Sequence, residues 1–522
     1  MTTNSSLAQN VLLHLARLGV REVCVAAGAR NTPLLTALLA SSGVKLWNFF
    51  EERSAGFFAL GRMMAGQRPV AVVTTSGTAA AELLPAVIEA HYQALPVIMI
   101  TADRPPRFRG SGAPQAIEQP GLFGCYAERT LDFQGSANDP AWPVTLGNKP
   151  LHVNVCFDEP LTGETQGIDF AAWGEPERRS QTSEPEMLDV LNNWLGMRTD
   201  LVVLAAGLRP EEAQMLAPAL KQLGAPIVAE ATANLHDPLL KSLLLRGGEK
   251  ALGVIKPKRV LRIGAVPSWR WWRDLETQPS IHVLHLAKAP FPGLARQQGL
   301  AAQPLRLLSD LKLKATGDNA SRHVEGFNET LRLDQALADH PLGETAWMRH
   351  LSLAIPECAR VFLGNSLPIR EWNLAAHQRH ECYANRGANG IDGIVSSFFG
   401  MSVGSKENWL IIGDLSALYD LSGPWISAQL PRANRRMVII NNGGGKIFAR
   451  VASLRALDSE SRALIENQHT MDFKPWADLW KMTYRLATKP GDLDELPPGD
   501  VIIEVRPDAG QTESFWAAWG TP

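Results

Sequence analysis

The chain has 522 residues, room for roughly three domains of the usual ~150 residues each, so it can bury a substantial core and is no small binding module. Its 51 basic and 53 acidic residues leave a net charge of -2, which argues against nucleic acid or an anionic membrane as partner and requires any anion site to be local. Five cysteines (Cys24, Cys125, Cys156, Cys358 and Cys382) are odd in number, widely spaced and in no Cys-x-x-Cys pair, so they read as reduced thiols. With no secretory pattern over Met1 to Leu13 and no membrane-length apolar run, a soluble cytoplasmic protein is expected.

From Val20 to Thr101 short β-like runs alternate with helical patterns: Glu22 to Val25, Lys45 to Phe50, Val70 to Thr75 and Val97 to Thr101. That rhythm predicts a parallel α/β sheet. A polar, Pro- and Glu-containing stretch from Gly163 to Glu186 reads as a linker, and the rhythm restarts at Leu201 to Leu204, Pro226 to Val228 and Val260 to Gly264. A second polar stretch between Ala315 and Pro341 precedes a third unit that starts near Gly343. The expected fold class is therefore α/β, with three doubly wound parallel-sheet domains at 1–175, 185–325 and 340–522. The middle unit has no Gly-x-Gly-x-x-Gly after its first strand, and the first and last units could share a fold.

In the third unit the apolar run Trp409 to Gly413 ends at Asp414, and a second run, Met437 to Ile440, leads to Asn441-Asn442-Gly443-Gly444-Gly445. The separation suits a parallel pair joined by a crossover helix, which would set Asp414 and Asn442 side by side at the carboxyl edge of the sheet. One anionic and one neutral oxygen then suit a hard divalent cation shared with phosphate, and the glycines admit close backbone approach. The simpler alternative is that Asp414 caps the next helix and the Asn-Gly run is a turn. In the first unit Glu51-Glu52-Arg53 lies between a strand and a helix-like run, and Val72 to Ala79 repeats the layout with Ser76-Gly77-Thr78 at its turn. Taken singly, either acid also suits a helix start, where the dipole favours a carboxylate.

Together these patterns resemble the thiamine-diphosphate enzymes. In that superfamily a glutamate of one chain's amino-terminal domain meets the aminopyrimidine, and the partner chain's carboxy-terminal domain holds the diphosphate through a metal. The resemblance narrows on Ala27 to Leu34, Thr101 to Pro106, Gln115 to Gly121, Gly364 to Leu367, Asn385 to Gly393 and Gly413 to Asp420. These runs look like one branch, the 2-succinyl-5-enolpyruvyl-6-hydroxy-3-cyclohexene-1-carboxylate synthases (MenD family) of menaquinone biosynthesis. Gly-Asp-Leu-Ser-Ala-Leu-Tyr-Asp, in place of the usual Gly-Asp-Gly, is its discriminating feature. The likeness is strong in the first and last thirds and loose in the middle.

The resemblance implies a transferase that decarboxylates 2-oxoglutarate and joins the remainder to isochorismate, using thiamine diphosphate and Mg2+ or Mn2+. It makes 1–175 the pyrimidine-binding domain, 185–325 a central domain and 340–522 the diphosphate-binding domain. Glu52 becomes the catalytic contact to the aminopyrimidine, near Ser76, Gly77 and Thr78, with Ile391 beneath the bent cofactor. Asp414, Asn442 and the Gly444 carbonyl become metal ligands, with Gly413, Leu415, Ser416 and Ile447 beside the diphosphate. Arg30, Arg104, Gln115, Ser366, Arg370 and Arg386 fall on substrate-carboxylate positions, where guanidinium groups can bind bidentately, and Arg270 of the middle unit is a further candidate. Any one of these arginines could instead be a solvated or salt-bridged surface residue. At least a homodimer is implied, and a homotetramer is possible.

The sequence departs from the branch at Ala29, where a Ser is usual, and at Pro114 and Trp269, where Asn and Lys are usual. Lys446 replaces a Gln, and Arg450 and Val451 replace apolar residues that cover the site. None of these touches the cofactor chemistry, so they bear on the acceptor. Two other readings stay open: another 2-oxo-acid decarboxylase or carboligase of the superfamily, and a catalytically silent homologue.

Overall fold

A computed structural model of the chain describes residues 3–66, 68–174, 185–196, 200–245, 248–296, 308, 332–377, 380–404, 406–454 and 456–520. The stretches expected as linkers fall in part, at 175–184 and 315–331, outside the described residues, as does the expected boundary at 325. The chain packs as two compact units. One comprises Met1–Ser180, Gly387–Gly404 and Tyr419–Pro431; the other comprises Gln181–Arg386, Ser405–Leu418 and Arg432–Pro522.

The first unit is built on β1 (Glu22–Ala26), β2 (Lys45–Phe49), β3 (Ala71–Thr74), β4 (Ile98–Asp103), β5 (Thr130–Phe133) and β6 (Leu151–Cys156). Their order is β2-β1-β3-β4-β6-β5, every pair parallel. The four anticipated runs are all strands, and β5 and β6 extend the sheet beyond them. β3, β4 and β6 are buried along their whole length, as expected of a parallel sheet with elements on both faces.

The second unit holds two further parallel sheets. The smaller runs β10-β9-β7-β8 from β7 (Leu201–Ala206), β8 (Ile227–Ala229), β9 (Arg259–Gly264) and β10 (His282–Leu286). Alternate residues of β7 feed opposite cores: Leu201, Val203 and Ala205 face one apolar cluster, Val202 and Leu204 the other. The larger sheet comprises β11 (Arg360–Leu363), β12 (Glu381–Tyr383), β13 (Asn408–Gly413), β14 (Arg435–Ile440), β15 (Thr483–Ala487) and β16 (Asp500–Val505). Its order, β12-β11-β13-β14-β16-β15, repeats that of the first sheet strand for strand. The three-sheet α/β architecture read from the sequence is thus present, and its outer sheets share a topology.

β13 and β14 pair in parallel with Gly413 opposite Ile440, as the motif required. The connection between them differs from a single crossover helix: it carries a six-residue helix, Asp414–Tyr419, then a 3-10 segment, Gly423–Gln429.

Within the first unit the helix Glu52–Gly66 packs against the helix Ile394–Met401 at unusually close range. A Cβ placed on Gly61 would lie 2.0 Å from the Ser397 carbonyl oxygen, and one on Gly400 would lie 2.2 Å from the Phe58 carbonyl oxygen. Glycine in a helix interior costs roughly 1 kcal/mol against alanine, so its presence here is explained by the approach it permits. Ser397 Oγ donates to the Phe57 carbonyl at 3.1 Å and Arg62 Nη1 to the Gly400 carbonyl at 3.1 Å, so the contact is also bonded. Gly61→Val should therefore destabilise the protein by about 1–3 kcal/mol, as overpacking does. Gly66→Ala, at an exposed position whose added Cβ meets only the Arg62 side chain at 4.0 Å, should be neutral or slightly stabilising. Thermal denaturation of both variants measures the contrast.

Candidate active site

In each six-stranded sheet the chain winds to one side from its first strand and then reverses, between β1 and β3 in the first and between β11 and β13 in the third. Ligands of open α/β sheets bind outside the carboxyl ends of strands at such a reversal. All but one of the candidate residues end or follow strands of these two sheets; Arg270 follows β9 of the smaller sheet.

In the first unit, the loop after β1 meets the loop after β3: a Cβ on Gly28 would lie 2.6 Å from the Thr75 side chain. Glu51 and Glu52, each suited to a helix start when taken singly, separate here. Glu51 caps the helix, its Oε1 accepting from Arg53 N at 2.9 Å and its Oε2 from Ser54 N at 3.0 Å. Glu52 opens the helix, and among the described residues no other side chain bonds its carboxylate. Burial pushes its pKa up, and the nearby charges of Glu51 and Glu82 add to the rise. Glu51 thus takes the capping bonds to Arg53 N and Ser54 N, and Glu52, which begins the helix, bonds only its own backbone N–H.

Ser76 and Gly77 are buried and Thr78 is exposed. Their turn is held by a residue that sequence reasoning did not single out. Gln119, fully buried, accepts from Gly77 N at 2.8 Å and donates to the Ala102 carbonyl at 3.1 Å and to Asn154 Oδ1 at 2.9 Å. Asn154 in turn donates to Asp103 at 3.0 Å and Asp132 at 2.8 Å, and Arg109 grips both Asp132 oxygens at 2.9 Å. The signal was present, because Gln119 and Asp103 sit inside two of the quoted motifs. What was hidden is that β6, carrying Asn154, joins them. Gln115, exposed and at φ +53°, lies against Gly77. Arg104 Nε donates to the Pro114 carbonyl at 3.0 Å. Arg30 is buried and donates to the Phe157 carbonyl at 3.0 Å, with Glu159 3.2 Å away. Ile391 is half-buried on a segment whose start, at Gly387 N and Ala388 N, is clamped by the two oxygens of buried Glu89 at 2.7 Å each.

In the second unit Asp414 is buried, and its carboxylate does two jobs. Oδ1 accepts from Leu415 N at 2.7 Å, while Oδ2 accepts from Gly443 N at 2.8 Å and Gly444 N at 2.9 Å, with His469 Nε2 at 3.2 Å. Burial raises its pKa against the lowering effect of those bonds. Asp414 therefore holds the first turn of the helix that it begins and also ties the end of β13 to the glycine run after β14. Gly444 has φ +133°, and a Cβ there would meet the Glu466 carbonyl oxygen at 2.6 Å, so only glycine fits. Its own carbonyl accepts from Lys446 N at 2.9 Å, which leaves a second lone pair. Gly413 and Leu415 are partly buried, Ser416 is buried, and Ile447 is half-buried on the 3-10 turn Lys446–Arg450.

Asn442 donates from Nδ2 to Glu344 Oε2 at 2.9 Å, and its Oδ1 is buried without a hydrogen-bond partner. An orphaned buried carbonyl oxygen is costly unless something electropositive reaches it. Among the described residues no three His, Cys, Asp or Glu side chains gather as a metal cluster. The offered set is one carboxylate, one amide oxygen and a backbone carbonyl, which suits a hard divalent cation that completes its shell with phosphate oxygens.

The same unit gathers three of the candidate arginines. Burial lowers the pKa of Arg370, and the like charges of Arg386 and Arg270 lower it further against the pull of Glu249 and Glu230. Arg386 Nη1 donates to Asn365 Oδ1 at 2.8 Å, and its Nε is buried without a partner. Arg270 N donates to Glu249 at 2.6 Å, and Ser366, at φ +74°, precedes the helix Leu367–Ala375 that carries Arg370. The departures also have local explanations. Trp269 is core, packed in the apolar cluster with Trp272. Lys446 pairs with Glu466 at 2.7 Å, and Arg450 is held by both oxygens of Glu513 at 2.9 and 2.7 Å.

Residues 5–122 match the sequence model of a family described as "Thiamine pyrophosphate enzyme, N-terminal TPP binding domain". Proteins named 2-succinyl-5-enolpyruvyl-6-hydroxy-3-cyclohexene-1-carboxylate synthase are similar along almost the whole chain. The one from Bdellovibrio bacteriovorus is 39% identical over 98% of this chain and 98% of its own length. That of Akkermansia muciniphila is 38% identical over 99% and 98%, and that of Bacillus velezensis 32% over 95% and 94%. With the strand order, the glycine-run geometry and likeness of this extent, the chain belongs to the 2-succinyl-5-enolpyruvyl-6-hydroxy-3-cyclohexene-1-carboxylate synthase family of thiamine-diphosphate-dependent carboligases.

Proposed function

We propose that the chain decarboxylates 2-oxoglutarate and adds the remaining succinyl unit to isochorismate, giving 2-succinyl-5-enolpyruvyl-6-hydroxy-3-cyclohexene-1-carboxylate for menaquinone biosynthesis. The observation that carries this reading is the likeness to synthases of that name over 98% of the chain. The chemistry supplied by bound thiamine diphosphate is that of a carbanion followed by an electron sink; the polypeptide binds, orients and moves protons.

In this reading 1–175 is the pyrimidine-binding domain, 185–325 the central domain and 340–522 the diphosphate-binding domain. Glu52, with Ser76, Gly77, Thr78 and Ile391, serves the aminopyrimidine end. A carboxyl whose pKa burial has raised is better matched to proton transfer near neutral pH than an ordinary glutamate. Asp414, Asn442 and the Gly444 carbonyl hold Mg2+ or Mn2+, and Gly413, Leu415, Ser416 and Ile447 flank the diphosphate. The unpartnered Asn442 Oδ1 supports this assignment. Arg30, Arg104, Gln115, Arg270, Ser366, Arg370 and Arg386 receive the substrate carboxylates. Mutual repulsion within the Arg270, Arg370 and Arg386 group supports an anionic occupant there. The cofactor is shared between protomers of a cytoplasmic homodimer, or of a homotetramer built from two dimers, with neither nucleic acid nor membrane as partner. Among the described residues no helix is long and apolar enough to cross a membrane.

Incubation with 2-oxoglutarate, thiamine diphosphate and Mg2+ should release carbon dioxide and, with isochorismate, yield the named adduct. Faster turnover with simple aldehydes would favour another carboligase of the superfamily, and no carbon dioxide release at all would favour a silent homologue. Glu52→Gln should retain the fold by circular dichroism and lose about 10²- to 10⁴-fold in kcat, the range of a positioned acid-base group; near-normal turnover would reject the role. Arg386→Ala should raise KM for the substrates while leaving thiamine-diphosphate affinity, measured by titration, nearly unchanged. An equal fall in both would remove Arg386 from substrate binding.

A further inference from the structure

Asn442 has two chemically opposite ends on one amide, and only the oxygen can serve a cation. The side chain alone does not decide which end faces the Asp414 edge, since a 180° turn about its last bond exchanges them at little steric expense. The structure supplies a device that decides. Glu344 Oε2 stands 2.9 Å from Asn442 Nδ2, and a carboxyl oxygen in that place accepts from the amide nitrogen and repels the amide oxygen. Glu344 is buried and fixed at its backbone, as the first residue of the helix Glu344–Ala354 with its N donating to Thr512 Oγ1 at 3.0 Å. Its other oxygen, Oε1, is buried without a hydrogen-bond partner, so its contact with Asn442 is the hydrogen bond that this carboxyl makes in the structure.

We infer that Glu344 is a positioning residue that locks the Asn442 amide with its oxygen toward the metal and its nitrogen away from it. Removing the acceptor frees the amide to turn. In the turned state two N–H groups face the cation, and the ligand is lost without any ligand residue having changed. Partners of this kind, one bond behind the ligands, typically change metal affinity 10- to 100-fold when removed. A second buried acid, Glu371, lies within electrostatic range of Glu344. Arg450, whose charge also acts on Glu344, keeps both oxygens of Glu513, so exchanging Glu344 for a neutral side chain of similar length does not leave an ion unpaired.

The inference rests on Asn442 and Asp414 being the metal site, and the experiment separates the two claims. Mn2+ affinity is measured by electron paramagnetic resonance on full-length protein saturated with thiamine diphosphate and free of substrate, alongside the melting temperature of the metal-free protein. Glu344→Met should weaken Mn2+ binding about 10- to 100-fold with the metal-free melting temperature held or raised. Glu344→Gln, which keeps an acceptor oxygen in place, should stay within about threefold of the parent. Asn442→Ala should lose at least as much affinity as Glu344→Met. Parent-like affinity in Glu344→Met beside a loss in Asn442→Ala would overturn the role of Glu344 alone. Parent-like affinity in both would overturn the metal assignment beneath it. Equal losses in the Met and Gln variants, with a lowered metal-free melting temperature in each, would show a packing role only and overturn the positioning role.

Discussion

The geometry of the second unit's candidate site depends on one buried carboxylate. Asp414 lies where β13 gives way to helix, and the register of β13 on β14 brings the glycine run to the same edge. By accepting from Gly443 N and Gly444 N it fixes a backbone that the glycines alone would leave free, at φ +79° and +133°. Those angles are open to glycine, and hydrogen bonds to an ionised oxygen are about twice as strong as neutral ones. Once that loop is set, Asn442 can point only where its neighbours allow.

Much of this could be read from the sequence because it follows from periodicity and punctuation. The runs at Trp409 to Gly413 and Met437 to Ile440 are long and apolar, end in Asp and Asn-Gly, and are strands in the expected register. The parts that escaped are those whose signal is weak or non-local. β5 alternates half-buried and buried over only four residues at the sheet edge, and β12 has three residues, too short for a pattern to stand out. The roles of Gln119 and Asn154 were illegible for another reason. They arise where β4 and β6 run side by side, and bonds between residues 35 and 51 apart in sequence have no local trace.

The division between Glu51 and Glu52 was likewise decided by something the sequence does not state. Two adjacent acids at a helix start compete for the same N–H groups, and the one placed before the first helical residue wins them. Glu51 holds that position and takes Arg53 N and Ser54 N, so it is retained by the helix. Glu52, one residue on, is buried without compensation from a cation beyond a bond to its own backbone N–H, and the charges of Glu51 and Glu82 lie nearby, which is why its pKa rises. A carboxyl perturbed in this way is a candidate for a functional site.

The unusual cations fit the same logic of local neutralisation. A chain with net charge of -2 draws little on long-range attraction for anionic ligands, so what matters is which positive groups are left uncommitted. Lys446 and Arg450 stand near the glycine run, yet each is tied to a carboxylate, Glu466 or Glu513, within 2.9 Å. Arg450 also lies over the Trp516 ring at 5.6 Å, which suits a planar guanidinium and would not be reproduced by lysine. Their charges are thereby turned to structure. Arg370 and Arg386, by contrast, repel one another in a partly buried setting, and the Nε of Arg386 is left without a partner. Like charges held together against repulsion make sense where an anion completes the arrangement, so the proposed binding of substrate carboxylates falls in this unit to the arginine group and not to positions 446 and 450.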